Sequence, residues 1–308
     1  MSRFVGILDG FWFAKAPATR LALLRILLGA YTLYYVGRRY SLFMRIAATD
    51  PTLFKPVGVT SNLKQPISVG VFRKILLATL LANVAFMLGW RHKYTGPLFA
   101  SLLLWVLCYR NSWSMIYHSD NVIVLHAIIL GLTPAADAIS LDSFKRIMAE
   151  SPDDNASLPK NDWCYGWPIQ LMNTVTVIIY FLSGVAKVKG PLGWKWAMGE
   201  SLRSQVAVDG LRKEMLGEGA ASLAFTLYDK VSLFRILAIG SLFLELLAPA
   251  ILLDKRVARL WAFGAFLLHW GIYFVMKITF RYQMSGLLFV SFFDIERIAT
   301  IFGKTGGE

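Results

Sequence analysis

Long stretches of mainly apolar residues recur from one end of the chain to the other, and they constrain the fold more than any other feature. Each stretch is about 17–22 residues long, which as a helix crosses a hydrocarbon layer of about 30 Å. Backbone amides in lipid must hydrogen-bond within their own segment, so each crossing is expected to be helical. The sequence therefore predicts an all-α, polytopic transmembrane helical bundle of about eight spans, near residues 18–37, 69–90, 94–110, 117–134, 167–187, 231–253, 257–277 and 280–300.

The composition excludes an ordinary soluble domain. Hydrophobic residues make up 56% of the 308 residues and charged residues 17%, against roughly 45–50% and about 25% in soluble domains. The formal net charge is +13, but basic residues cluster beside the apolar runs, as in Arg38-Arg39 and Lys255-Arg256. Anionic lipid headgroups would meet them there. The sequence has no basic tail, and no basic stripe interleaved with aromatic residues, that could bind along a nucleic-acid backbone. The expected partners are therefore membrane lipids and not nucleic acid.

We interpret residues 1–308 as a single membrane domain. Residues 1–17 carry aromatic and aliphatic side chains around a few polar positions, which predicts an amphipathic interfacial segment before a helical bundle at 18–300. A helical pattern near 196–215 predicts a second interfacial helix. The tight basic turns at 91–93 and 253–256 are typical of cytoplasmic loops. We therefore expect a multi-pass protein of the cell membrane with its N-terminus inside.

The first candidate site pairs a lysine with a histidine at the ends of two neighbouring spans. His118 opens the fourth predicted span and Lys187 closes the fifth, so the chain crosses once and returns, which brings both to the same side of the membrane. A lysine partly withdrawn from water loses its proton more readily, and a neutral amine is a competent base with a histidine as proton carrier. The alternative is that Lys187 and Lys189 are flanking charges that reach the headgroups.

A second group of polar residues lies deeper in the predicted bundle. Glu245 and His269 flank the turn between spans six and seven at depths that differ by roughly 6 Å, so a contact between them is possible. His269, Tyr273 and Lys277 recur at four-residue spacing and form a polar stripe that could line a substrate pocket. A polar clamp between helices is the alternative.

Arg25 lies well inside the first apolar run and is expected to point into the bundle. A carboxylate, backbone carbonyls or an anionic ligand could satisfy its guanidinium. The chain has no metal-ligand spacing, glycine-rich phosphate loop or nucleophile elbow. No metal is therefore predicted.

Several short motifs together resemble the HTTM family, the membrane domain that vitamin K-dependent gamma-carboxylase shares with many bacterial proteins. The most extensive is the run at 180–188, which contains Lys187 and is followed by Trp194 or Trp196 and by Gly-Glu-Ser-Leu at 199–202. The other motifs lie at residues 24–29, 117–119 and 292–294, at Glu245 with Pro249, and at His269. Together the motifs extend the resemblance over roughly residues 18–295.

The resemblance implies a chemistry. In the carboxylase the membrane domain oxygenates a reduced vitamin K quinone, and the resulting strong base removes a proton from a glutamate side chain. The lysine that matches Lys187 is thought to deprotonate the quinol, and a histidine that matches His118 supports it. The resemblance therefore implies a reduced quinone, vitamin K-like or menaquinone-like, as the lipophilic small molecule. The large soluble region with which the carboxylase holds its peptide has no counterpart here, so we expect quinol oxygenation rather than protein carboxylation.

The sequence leaves two classes of function open. The first is an intramembrane enzyme that oxidises or epoxidises a reduced quinone with Lys187 as its base. The second is a non-catalytic membrane accessory protein for a secreted peptide or a redox protein, because several small bacterial HTTM proteins resemble such factors. A transporter ranks third, since neither inverted repeats nor paired discontinuous helices are evident.

Overall fold

The computed structural model describes residue 6 and residues 9–113, 115–149 and 161–297, without the side chains of His118 and Ser119. Within these residues the secondary structure is helical and no β-strand occurs. The all-α prediction is therefore confirmed. The chain divides into two compact units, one of residues 1–172 with 294–308 and one of residues 173–293. A single membrane domain remains a prediction.

The first unit holds the helices of the N-terminal half. They are α1 (Ala18–Gly37), α2 (Tyr40–Ala47), α3 (Val69–Leu88), α4 (His92–Asn111), α5 (His118–Gly131) and α6 (Leu141–Ala149), with 3-10 turns at Pro51–Leu53 and Gly58–Thr60. α7 (Trp163–Lys189) begins in this unit and ends in the second.

Close backbone contacts between small residues pack the first unit. A Cβ added at Gly96 in α4 would lie 2.4 Å from the carbonyl oxygen of Gly131 in α5, so the two helices cross at their glycines. Asn83 Nδ2 donates to the Gly29 carbonyl at 3.1 Å and joins α3 to α1. Small interfacial residues and interhelical hydrogen bonds are what hold helices together where water is absent.

The second unit follows the end of α7. It contains α8 (Glu200–Met215), α9 (Ser222–Leu227), α10 (Val231–Leu246), α11 (Lys255–Met276) and α12 (Arg281–Met284), with 3-10 turns at Gly193–Met198, Ala248–Leu253 and Leu287–Phe292. The helix predicted near 196–215 is thus present as a 3-10 turn followed by α8. Its position at a membrane interface remains a prediction.

Among the described residues, three helices are long and apolar enough to cross a membrane: α3, α7 and α11. They match three of the eight predicted spans, and the number eight is not confirmed. The first predicted span coincides with α1, but α1 carries Arg20 and Arg25 and is not among the three. The predicted spans at 94–110 and 117–134 correspond to α4 and to the 14-residue α5.

The last predicted span, 280–300, is not a continuous helix. α12 ends at Met284, and Gly286 has a φ of 78°, a left-handed conformation that stops an α-helix. A 3-10 turn and an extended Phe293 follow, and residues 298–300 lie outside the described part. The span at 231–253 is also interrupted, because a 3-10 turn at Ala248–Leu253, with Pro249 as its second residue, follows α10.

The amphipathic segment predicted at 1–17 is described only in part. Residues 9–12 are helical, and residues 1–5, 7 and 8 lie outside the described residues. Its interfacial position, the multi-pass crossing of the cell membrane and the inside location of the N-terminus remain predictions.

Candidate functional site

A lysine and a glutamate form the centre of the candidate site in the second unit. Lys187 lies on the last turn of α7, and its Nζ donates to both carboxylate oxygens of Glu245 in α10, at 2.6 Å to Oε1 and 2.7 Å to Oε2. The Glu245 side chain is 7% exposed and the Lys187 side chain 25%. The carboxylate is therefore buried, while the ammonium retains one side that is open.

A glycine one turn earlier lets the two helices approach closely. A Cβ added at Gly184 would lie 2.9 Å from Glu245 Cβ and 3.0 Å from Leu246 Cδ2. Ser183 on the same turn donates from Oγ to Glu245 Oε1 at 3.3 Å. Ser183, Gly184 and Lys187 share one face of α7 because residues three and four apart lie one above another. This face supplies both hydrogen-bond donors to the carboxylate.

An indole ring covers another side of the ammonium. Lys187 Nζ lies 4.6 Å from the centroid of the Trp196 ring, within range of a cation–π interaction. Trp196 comes from the 3-10 turn at Gly193–Met198, is 7% exposed, and packs against Ala238 and Leu242 of α10. The ammonium is therefore held between a carboxylate and an aromatic face.

A cavity of about 390 Å³ adjoins this pair. Its lining includes Ser183, Lys187, Pro191, Trp196, Ser201 and Gln205. Cavities of roughly 300–1,000 Å³ are typical of sites for small ligands. A hydroxyl group in this cavity would meet a cation that donates and, directly behind it, a carboxylate that accepts.

Tyr180 and His269 lie on the inner side of the site, where both are buried. His269 Nδ1 is 2.8 Å from the Ala265 carbonyl oxygen and 3.4 Å from the Tyr180 hydroxyl. The Tyr180 ring meets Trp261 edge to face, with centroids 5.0 Å apart. The sequence left a contact between Glu245 and His269 possible, but among the described residues the two form no hydrogen bond with each other. Glu245 accepts hydrogen bonds from Lys187 and Ser183 instead.

None of the three residues of the predicted polar stripe, His269, Tyr273 and Lys277, is among those that line the cavity. Tyr273 is half-buried and packs against Trp270 and Phe274, with ring centroids 5.9 and 5.8 Å away. Lys277 follows the end of α11 and donates to the Gly219 carbonyl at 3.1 Å. Of the three stripe residues only His269 is buried.

Arg25 lies in the first unit and is fully buried. Its NH1 donates to the Ala135 carbonyl at 2.7 Å and its NH2 to the Ile139 carbonyl at 2.6 Å. Backbone carbonyls, one of the three kinds of partner considered from the sequence, therefore satisfy much of the guanidinium. The contacts anchor the segment between α5 and α6. A role in substrate binding remains a prediction.

His118 begins α5, but its side chain lies outside the described residues. Its pairing with Lys187 therefore remains a prediction. Among the described residues no group of histidine, cysteine and acidic side chains is arranged to hold a metal ion.

Sequence reasoning missed three contributors to the site. The spacing of Ser183 and Gly184 relative to Lys187 was a usable signal, because it places all three on one helix face. Trp196 reaches Lys187 only because the chain reverses after α7 near Gly190-Pro191, and no local pattern indicates that contact. The same reversal brings Ser201 and Gln205 of α8 to the cavity.

Helices of membrane-spanning length and apolar character fit a helical integral membrane protein. The HTTM domain matches residues 13–290, which is most of the chain. The chain belongs to the HTTM family, as its motifs indicated. No curated protein matches the sequence significantly. No solved structure matches it significantly.

Proposed function

We propose that this protein is an intramembrane enzyme that removes a proton from a reduced quinone, vitamin K-like or menaquinone-like, and so starts its oxidation or epoxidation. The observation that carries the proposal is the Lys187–Glu245 pair beside a cavity of ligand size. A lipophilic quinol would reach this site through the membrane and place a ring hydroxyl against Lys187.

The pair supplies a base in spite of the lysine's charge. The Lys187 proton can move along the 2.6 Å hydrogen bond to Glu245, which leaves a neutral amine and a neutral carboxylic acid. The neutral amine of Lys187 then accepts the proton of the quinol hydroxyl, and the quinolate forms beside the new ammonium.

The proposed reaction is balanced with molecular oxygen as the oxidant. The quinol gives up its hydroxyl protons, and its ring takes up one oxygen atom as the epoxide while the other leaves as water. The protein holds the ring hydroxyl, accepts its proton and keeps other proton donors away from the site. The family resemblance gives His118 a supporting role as a proton carrier, and a His118→Ala variant is expected to slow the reaction.

The test is oxygen-dependent epoxide formation by the purified protein in lipid nanodiscs. Reduced menaquinone is supplied in air, and the quinone epoxide is separated by chromatography and measured by mass spectrometry. Lys187→Ala and Glu245→Gln should lower turnover at least 100-fold, since removing a positioned base costs about that much. Lys189→Ala, at the other lysine of the last turn of α7, is the matched control and should keep wild-type turnover. Wild-type turnover no higher than that of Lys187→Ala would defeat the proposal.

A second candidate function is a non-catalytic accessory protein for a secreted peptide or a redox protein. Both close hydrogen bonds of Lys187 go to the same carboxylate, a geometry that would also suit a clamp between α7 and α10. Under this alternative, a Lys187→Met/Glu245→Leu variant that still folds should retain the cellular phenotype and co-purify with the same partner. Loss of the phenotype in a folded double variant would favour the enzyme.

A further inference from the structure

A second cavity of about 440 Å³ lies beside the one at Lys187. The two share Ser201 and Gln205, and the second extends along α8 to Asp209 and Arg212. We name the combined depression the α8 trough, defined by Lys187 at its inner end and by Ser201, Ser204, Gln205, Asp209 and Arg212 along its length. From Ser201 to Arg212 the helix rises about 16 Å.

Polar side chains with free hydrogen-bonding capacity line the trough. Ser201, Gln205 and Asp209 recur at four-residue spacing and so share one face of α8, with Ser204 beside them. Within the described part of the chain, Ser201, Ser204 and Gln205 make no side-chain hydrogen bond to another residue. Groups of this kind in an open cavity bond to water. The α8 trough thus offers groups that can hold water along one face of α8, beside Val208 and the aliphatic parts of the same side chains.

The other sides of the ion pair are closed. The Gly184 backbone and Leu246 pack against Glu245, and buried Tyr180 and Trp261 lie farther in. Trp196 covers the ammonium on a further side. Apart from Ser183, which donates to Glu245, these neighbours of the pair present apolar or aromatic surface.

At its outer end the trough reaches a charged surface. Asp209 bonds Arg212 at 2.7 Å and Lys213 at 2.6 Å, and the Arg212 side chain is 65% exposed. This end therefore carries exposed charge. An enzyme that takes a proton from a substrate in each turnover must release it before the next one, and a route through hydrogen-bonded water is far easier than one through lipid.

We infer that the α8 trough is the water-filled path by which the Lys187–Glu245 pair exchanges protons with bulk solvent, and that Gln205 and Ser201 are its positioning residues. The role of this proton exchange in turnover rests on the proposed function. The water path itself stands on the geometry and can be tested without any turnover.

The first experiment measures access to Lys187. The protein in nanodiscs is treated with a water-soluble, membrane-impermeant acetylating reagent, and mass spectrometry gives the labelling rate of each lysine. Gln205→Trp, which fills the junction of the two cavities, should slow labelling of Lys187 at least fivefold and leave Lys277 unchanged. Leu211→Trp, on α8 but outside both cavities, should change neither rate. Equal labelling of Lys187 in wild type and Gln205→Trp, or no labelling of wild type, would overturn the path.

The second experiment measures proton release during quinol turnover. Gln205→Leu should lower kcat about tenfold with little change in KM, and a small permeant base such as imidazole should restore kcat, which a purely structural defect would not allow. A folded Gln205→Leu variant with wild-type kcat would overturn the proton role. If Gln205→Trp blocks labelling but wild type forms no epoxide, the water path stands, whereas the proposed function and the proton role fall.

Discussion

Lys187 and Glu245 lie 58 positions apart in the sequence, and two hydrogen bonds of 2.6 and 2.7 Å join them between α7 and α10. The distance along the chain hides this relationship, and the histidine that the sequence placed near Glu245 is not its hydrogen-bond partner among the described residues. The carboxylate is buried and the ammonium partly exposed. The pair therefore serves both as a bond between two helices and as the polar end of a cavity.

Removing one member of this pair should destabilise the protein more than removing both. Lys187→Met leaves the buried Glu245 carboxylate without its cation, and we expect a loss of about 3 kcal/mol in the free energy of unfolding. Lys187→Met/Glu245→Leu removes both charges and should lose less than Lys187→Met alone. Thermal unfolding in detergent measures both effects. A double variant whose loss equals the sum of the two single variants would mean that the side chains do not interact.

The close approach at Gly184 should tolerate no side chain. Gly184→Ala places a Cβ 2.9 Å from Glu245 Cβ, an atom too near its own backbone to swing aside, so α7 and α10 must separate. We expect a loss of about 1–3 kcal/mol. Gly240→Ala is the matched control, because a Cβ there meets no atom within 4 Å, and alanine favours a helix. Equal melting temperatures for the two variants would show that the helices are farther apart than described here.

Replacing Arg25 should loosen the segment between α5 and α6. Arg25→Met removes the donors to the Ala135 and Ile139 carbonyls, and the expected cost is about 3 kcal/mol because both bonds come from a charged group. Hydrogen–deuterium exchange of residues 133–142 should become faster. Arg73→Met, at an exposed position of α3, should leave that exchange unchanged. Unchanged exchange in Arg25→Met would exclude Arg25 as the anchor.

The start of α11 should make stability depend on pH in acid. Asp254 Oδ1 accepts from the backbone N–H groups of Val257 at 3.0 Å and Arg256 at 2.8 Å, and these bonds lower the pKa of Asp254 from 3.8. A lowered folded-state pKa adds stability that is present above the unfolded-state pKa and is lost as the pH falls through the folded-state pKa.

The measurement compares melting temperatures of wild type and Asp254→Asn between pH 7 and pH 3. Asparagine retains a capping oxygen without the titrating charge, so the wild-type advantage should shrink as the pH falls below about 4. An advantage that stays constant over this range would show that the Asp254 carboxylate does not contribute through its charge.

Part of the fold could be predicted because a long apolar segment in lipid is stable as a helix. The boundaries of α1 and α3 and the helix at 196–215 follow from such runs and from helical spacing. The prediction was wrong at 280–300, where apolar character persists but Gly286 turns the backbone into a left-handed conformation. Hydropathy does not detect this change of backbone conformation, because it measures the solvent preference of side chains and not backbone geometry.

The sequence by itself determined that this is a helical membrane protein of the HTTM family, and it singled out Lys187, Glu245 and His269. Only the tertiary structure decided that Glu245 bonds Lys187 rather than His269, and that Trp196 and Gln205 reach the same place. Helical periodicity specifies which residues share a face within one helix. Contacts between helices depend on rotation, depth and close approach, and here Gly184 and the chain reversal after α7 set all three.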